Sequence, residues 1–247
     1  MKSLKRFRFP AKRRLRPGEL YGVYRTLHKA FGHRQWWPGK TPFEVMIGAI
    51  LTQNTAWSNV EKAIRNLKRA GKLSPKALHS LPEKELAELI RPSGYFNVKA
   101  RRLKFFLRFL FEEYGGRLER MFAEDGGALR RKLLLVNGIG PETADSILLY
   151  AAAKPFFVID AYTKRIFTRH RLKTDGGARH ASPLRLEDPY EIWQSVFAEA
   201  LEPVVRGKKR GRLDLYNDFH AQIVMLAKDY CKSREALCGS CPLSKYL

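Results

Sequence analysis

Two groups of residues in this chain have the types and spacing to do chemistry. Between Leu133 and Asp160, in the run LLLVNGIGPETADSILLYAAAKPFFVID, a Gly138-Ile139-Gly140 turn separates two apolar stretches, and a lone aspartate ends the segment. Glycines at 138 and 140 are expected to supply positive backbone angles and a close approach that side chains forbid, and Pro141 suits the first turn of the next helix. Backbone N–H groups at that helix start would face outward, toward a phosphate oxygen. Such an element can hold a DNA backbone and present the Asp160 carboxylate beside it. Asp160 has a second reading, as the N-cap of a helix beginning at Ala161. The other group is the set of all three cysteines, Cys231, Cys238 and Cys241, in a C-x6-C-x2-C spacing. Clustering of that kind speaks for a metal site over a disulfide. Zinc on three thiolates and a histidine is one form of it, although the cysteine loop itself holds no histidine.

The elements that must position these groups are helical. Leu20, Val23, Tyr24, Leu27 and Phe31 recur at helical spacing after Pro17-Gly18. Further amphipathic segments are predicted over 42 to 53, 57 to 70, 74 to 80, 84 to 90, 97 to 114, 127 to 136 and 141 to 153. Ser58 with Glu61, Ser74-Pro75 and Leu81-Pro82 supply helix-start signals. After Asp160 an amphipathic stretch runs to about His170, a loop-like insert spans Lys173 to Glu187, and helices resume near Pro189 and Leu213. The insert reads as a surface loop or as a second DNA-contacting flap. Strand signals are nearly absent, so the expected class is all-α.

Composition narrows the partner. The chain has 247 residues, 45% hydrophobic content and a formal net charge of +23, far beyond what solubility requires. A polyanion, nucleic acid first, is the expected partner. Residues 1 to 17 read as a flexible basic arm; the first sixteen carry eight Lys/Arg and lack the apolar core of a signal peptide. A second basic run, Arg206 to Arg212, lies between two helices. No apolar run is long enough to span a bilayer. The expectation is a cytoplasmic, nucleoid-associated protein of bacterial or archaeal type, monomeric and away from membranes.

The hairpin residues Val136, Gly138, Ile139, Gly140, Thr143 and Ala144, followed by Asp160, resemble the V-x-G-I/V-G-x-x-T-A signature and aspartate of the endonuclease III-type helix-hairpin-helix (HhH-GPD) DNA glycosylases. Leu51-Thr52-Gln53-Asn54-Thr55 resembles that family's L-S/T-Q-x-T stretch. Gly94-Tyr95-Phe96-Asn97, with Lys99 and Ala100, resembles its G-x-Y/F-N-x-K-A stretch. The likeness runs over roughly residues 20 to 247. It implies a six-helix barrel lobe over 42–153 that contains the hairpin, and a second helical lobe from 18–41 plus 154–247, with a DNA cleft between them.

The resemblance also assigns roles. Asp160 becomes the catalytic carboxylate that stabilises positive charge on the sugar, or activates water, as the C1′–N bond breaks. Gln53 and Tyr95 fall at the family's plug and wedge, which fill the hole left by a flipped base. Asn97, Lys99, Gly138, Ile139, Gly140 and Thr143 fall in its DNA-binding stretches. Position 142 carries a Schiff-base lysine in members that also cut the strand; here it is Glu142, which implies a monofunctional enzyme, with Lys164 as another route to lyase chemistry. Trp36-Trp37-Pro38 and Trp57 resemble the aromatic residues of the bacterial 3-methyladenine subgroup, and Lys228 aligns with a lysine near its pocket. Stacked aromatic rings can select a cationic alkylated base at ~0.5–2 kcal/mol per contact. The cysteine spacing resembles that of a [4Fe–4S] cluster, with Leu247 where the family has its fourth cysteine. The expectation is therefore a DNA glycosylase acting on duplex DNA that contains a damaged base, with an alkylated purine as preferred substrate. Alternatives are an oxidised-pyrimidine glycosylase with lyase activity, a mismatch thymine or uracil glycosylase, and a non-catalytic DNA-binding protein of the same fold.

Overall fold

The computed structural model describes residues 14–34, 39–173, 182–207 and 209–247. Residues 1–13 of the basic arm, 174–181 of the insert and the candidate pocket residues Trp36, Trp37 and Pro38 lie outside the described residues. The α-helices run in the order α1 Leu20–Phe31, α2 Pro42–Leu51, α3 Trp57–Arg69, α4 Pro75–Ser80, α5 Glu83–Leu89, α6 Phe96–Tyr114, α7 Leu118–Ala123, α8 Gly126–Leu135, α9 Pro141–Ser146, α10 Ala161–Arg169, α11 Tyr190–Val205 and α12 Lys209–Asp229. Among the described residues there is no strand; the only β-type pairings are two isolated bridges, Lys173 with Pro183 and Cys231 with Ala236. The all-α expectation is met. The chain forms two compact units, one of residues 37–156 and one of residues 1–36 with 157–247.

The unit of residues 37–156 is built on α2. Its start is set by Thr41, whose side chain accepts from the Glu44 N–H at 3.2 Å, and by Pro42 in the first turn. Every residue from Phe43 to Leu51 is buried, including Glu44, whose carboxylate receives the Lys68 ammonium at 2.7 Å. Around it, α3 shows the one-sided pattern of a surface helix, burying Val60, Ala63, Ile64 and Leu67. Ser74 caps α4 and Asp125 caps α8, each accepting the N–H of the residue three positions on. Helix α7 was not anticipated by apolar periodicity. It has six residues, of which Met121 is the buried one, and it follows the left-handed pair Gly115 and Gly116. The stretch predicted as one helix over 141–153 is α9 widened into a π-helical turn, Ile147–Ala151, whose residues other than Tyr150 are buried.

The other unit packs α1, α10, α11 and α12 around an aromatic cluster. Phe157 stacks on Phe197 at 4.6 Å between ring centroids, and Phe167 meets Phe197 edge-on at 4.9 Å. Phe219 closes the group against Phe157 at 5.7 Å. All four rings are essentially inaccessible, and each contributes ~1.5–3 kcal/mol relative to exposure. Leu20, Val23 and Leu27 present the buried stripe of α1. No described helix is long and apolar enough to cross a membrane.

Candidate nucleic-acid interface and catalytic carboxylate

In the 37–156 unit the interface is a hairpin between α8 and α9, and a buried ion pair fixes those two helices. Asp145 on α9 is fully buried and takes two hydrogen bonds from the Arg130 guanidinium on α8, at 2.7 and 3.1 Å. Between the helices the Ile139 N–H donates to the Val136 carbonyl at 3.0 Å, closing a tight turn. Gly138 sits there at φ 87°, and a Cβ added to it would fall 2.3 Å from Cγ of Arg102. Conformation and space both require glycine at this position. Gly140 is different: its φ of −90° and ψ of 178° are open to any residue, and nothing lies within 4 Å of an added Cβ. The expectation of a positive backbone angle at both glycines is therefore corrected to Gly138 alone. Ile139 is buried at 4% exposure and spends its N–H within the turn, so its side chain shapes the hairpin.

Gln53 is tied directly to this hairpin. Its side-chain amide donates to the Gly138 carbonyl at 3.0 Å and to the Thr143 hydroxyl at 2.9 Å, and its oxygen accepts a short hydrogen bond from Arg102. Thr143 is buried, and its hydroxyl anchors Gln53. Thus Gln53, Arg102 and the hairpin residues Gly138 and Thr143, from three sequence-distant stretches, form one network. Arg102 was missed by the sequence reading because one arginine among 47 basic residues carries no signal of its own.

Lys99 also departs from expectation. Its side chain is 1% exposed and donates to the carbonyls of Leu51, at 2.8 Å, and Ser93, at 2.6 Å. It cannot reach a phosphate from there. Burial first, and then the neighbouring Arg102 charge, pull its pKa down to about 8. Those two carbonyls lie two residues before Gln53 and two before Tyr95, so Lys99 fastens the ends of both turns. Tyr95 itself is left-handed, at φ 45° and ψ 35°, and 73% exposed at the head of α6. A non-glycine residue in that region is uncommon, and here the conformation projects a large ring away from the core. Asn97 is exposed on the first turn of α6. Trp57 opens α3 half-buried against the apolar core, and its ring N–H donates to Glu61 at 2.9 Å. Glu142 is exposed at the start of α9.

In the unit of residues 1–36 and 157–247, Asp160 is the N-cap of α10, as its second reading foresaw. One carboxylate oxygen accepts from the Thr163 N–H at 2.7 Å and the Thr163 hydroxyl at 2.8 Å. The other lies 3.5 Å from Nε2 of His220 on α12. Burial works against charge on this carboxyl, but the bonds and charge from His220 and the two Thr163 donors outweigh it and hold the group below the usual carboxylate range. Asp160 is thus a half-buried anion with one oxygen reserved for the helix cap and the other turned toward an imidazole. Sequence reading missed His220, which lies sixty residues from Asp160 on the buried face of α12 beside Asp218 and Gln222. Lys164 donates to the carbonyls of Asp188, at 2.8 Å, and Leu186, at 3.3 Å. Lys228 is exposed near the end of α12.

The three cysteines are free thiols that line one small pocket of about 20 Å³ together with Arg169, His170, Tyr230 and Leu247. Arg169 donates to the Cys231 sulfur at 3.1 Å, placing positive charge beside a potential thiolate. Without a bound ion, burial pushes the Cys241 thiol up to about 11 and also raises Cys238. Three cysteines around one pocket, with an adjacent guanidinium, offer thiolate donors for a metal group, and the apolar Leu247 side chain supplies no fourth thiolate.

Comparison with known proteins agrees with this geometry. Residues 47–187 match the HhH-GPD superfamily of base excision DNA repair proteins. A protein of Methanocaldococcus jannaschii provisionally named a DNA repair glycosylase is 40% identical over 228 residues, covering 92% of this chain and 94% of its own. Endonuclease III of Thermotoga maritima is 29% identical over 205 residues, 83% of this chain and 82% of its own. Among solved structures, the H. pylori 3-methyladenine DNA glycosylase bound to 1,N6-ethenoadenine is similar at a TM-score of 0.70 and 30% identity, over 87% of this chain and 98% of that one.

Proposed function

The chain belongs to the HhH-GPD superfamily of base excision DNA repair proteins and is a DNA glycosylase, and from this premise we propose that it is monofunctional and releases alkylated purines of the 3-methyladenine kind from duplex DNA. The observation that carries the reaction type is Asp160, a half-buried carboxylate held in its ionised form by His220 and Thr163, in a chain with Glu142 where a strand-cutting enzyme needs lysine. As the C1′–N bond breaks, its electron pair leaves with the base and positive charge grows on the sugar. The Asp160 anion stabilises that charge, water adds its oxygen at C1′, and a proton is lost from that water. An N3-alkylated adenine already carries positive charge, so it departs neutral and needs no protonation.

Glutamate cannot form a Schiff base, and Lys164 is committed to two backbone carbonyls. Both features support hydrolysis over lyase chemistry. The Gly138–Gly140 hairpin would hold the DNA backbone, with Gln53 and Tyr95 filling the space of the flipped base. Gln53 would have to exchange its hairpin bonds for the orphaned base, whereas Tyr95 is already free to stack. Trp57, together with Trp36, Trp37, Pro38 and Lys228, is proposed to surround the base. The similarity to the H. pylori enzyme supports that choice of substrate. Cys231, Cys238 and Cys241 would hold an iron–sulfur cluster, which when bound supplies a structural staple for the C-terminal loop.

The test is base release from alkylated duplex DNA, wild type beside Asp160→Asn, with the strand examined before and after alkali. Free 3-methyladenine from the wild type alone, with breaks only after alkali, is the expected result. Release without alkylation, from uracil, thymine mismatches or oxidised pyrimidines, would reassign the substrate. Strand cleavage before alkali would overturn the monofunctional reading.

A further inference from the structure

Away from the proposed chemistry, Asp218 on α12 is a buried carboxylate, its side chain 1% exposed, with two imidazoles facing it. Nδ1 of His28, in the last turn of α1, is 2.9 Å from one carboxylate oxygen, and Nδ1 of His33, just past that helix, is 3.5 Å from the other. One ligand atom from each residue can be chosen so that all three lie within 4.8 Å of one another. We propose that His28, His33 and Asp218 form a binding site for a borderline divalent transition metal such as Zn²⁺.

The spacings, to different oxygens of the Asp218 carboxylate, accommodate a shared ion, and the His28 contact at 2.9 Å is also a hydrogen bond. Ligands at ~2.0–2.2 Å from a metal, subtending angles between octahedral and tetrahedral, stand ~2.8–3.6 Å apart, and the two observed N···O separations fall inside that interval. Two imidazoles and a carboxylate select zinc and its first-row neighbours over magnesium or calcium, which prefer all-oxygen sets. The carboxylate is held from behind as metal-ligating carboxylates usually are. The Arg34 N–H donates to it at 2.6 Å, the Tyr24 hydroxyl at 3.0 Å and the Gln222 amide at 3.2 Å. Both histidines remain partly open, at 42% and 58% exposure, giving an ion a path in and room for a water ligand. Binding displaces the hydrogen now shared by His28 and Asp218 and releases it to solvent.

The position gives the ion a structural task. Gly32 ends α1 at φ 71°, and its carbonyl already accepts from Gln222 at 2.6 Å. An ion on His28, His33 and Asp218 would lock the last turn of α1 and the residues that follow it onto α12, the helix that also carries His220.

Titration of the chelator-treated full-length protein with Co²⁺ tests the site independently of glycosylase activity. One equivalent should bind with weak visible d–d bands and no intense sulfur-to-cobalt band, raise the thermal unfolding midpoint, and bind at least about tenfold more weakly in His28→Ala and in His33→Ala. Binding that shows only the sulfur band would assign the metal to the cysteine cavity and overturn the proposal. Equal affinity in both variants, or no binding, would do the same and leave Asp218 with hydrogen bonds alone.

Discussion

Asp160 and His220 face each other at 3.5 Å, carboxylate oxygen to Nε2, while the other oxygen of Asp160 is bound twice by Thr163. The arrangement separates two tasks within one carboxylate. Thr163 keeps it at the helix start, and His220 keeps its second oxygen charged and directed. His220 is therefore a positioning residue for the proposed base release.

Replacing His220 with alanine removes an interaction that holds the Asp160 carboxyl low, so its folded-state pKa rises. The acidic limb of the single-turnover rate should move to higher pH, and the rate at neutral pH should fall about tenfold, a loss of roughly 1.4 kcal/mol in transition-state stabilisation. Duplex affinity should be unchanged. A pH profile superimposable on the wild type would assign His220 to packing only.

Asp160→Asn retains a good N-cap, since asparagine accepts the Thr163 N–H as aspartate does. Thermal stability at neutral pH should change little while base release falls by about 10²–10³. The wild type carries an additional term: a carboxyl held below its unfolded pKa stabilises the fold above about pH 4 and loses that contribution as pH falls through the folded value. The variant should lack that term, so its unfolding free energy should depend less on pH in the acid range. An Asp160→Asn protein that still releases base at the wild-type rate would remove the residue from the chemistry.

The two hairpin glycines should behave oppositely. Gly138→Ala forces a side chain onto φ 87° and into Arg102, costing about 1–2 kcal/mol in conformation alone and loosening Gln53. Gly140→Ala has no internal neighbour to strike and should unfold at the wild-type temperature, yet bind duplex DNA several-fold more weakly if the backbone approaches there. Equal affinities for wild type and Gly140→Ala would move the phosphate contact elsewhere.

Lys99 predicts an unusual pH dependence. Its pKa is about 8 in the fold against about 10.4 unfolded, so between those values the unfolded chain binds more protons and stability rises with pH. The unfolding free energy of wild type minus that of Lys99→Met should therefore become more positive from about pH 7.5 to about pH 9.5. A difference that stays constant or shrinks would contradict the buried, strained ammonium.

Borohydride treatment on an abasic duplex should leave the wild type uncaptured. Installing the missing amine with Glu142→Lys, at an exposed first-turn position that tolerates lysine, should produce a covalent complex. Robust capture by the wild type would instead demand another lysine in the site.

Helix positions and the hairpin were legible in the sequence because both are local. Apolar spacing, Pro at helix starts and capping residues at Ser74 and Asp160 act over three or four neighbours, whereas Ser58 with Glu61 falls inside α3, whose N-cap is Ala56, and the order of motifs carried the family. Helix α7 escaped because six residues with one buried side chain leave no period to read. The tertiary structure decided what each polar side chain actually does. Lys99 and Thr143 look like DNA contacts in sequence, but burial turns them inward to hold Gln53 and Tyr95. Arg102, His220 and Asp218 carry no sequence signal, since each takes its role from partners that lie far along the chain and meet it only when the helices pack. Local pattern determines which segments coil; the desolvation of a charge, and the partner that offsets it, exist only once the core has closed around them.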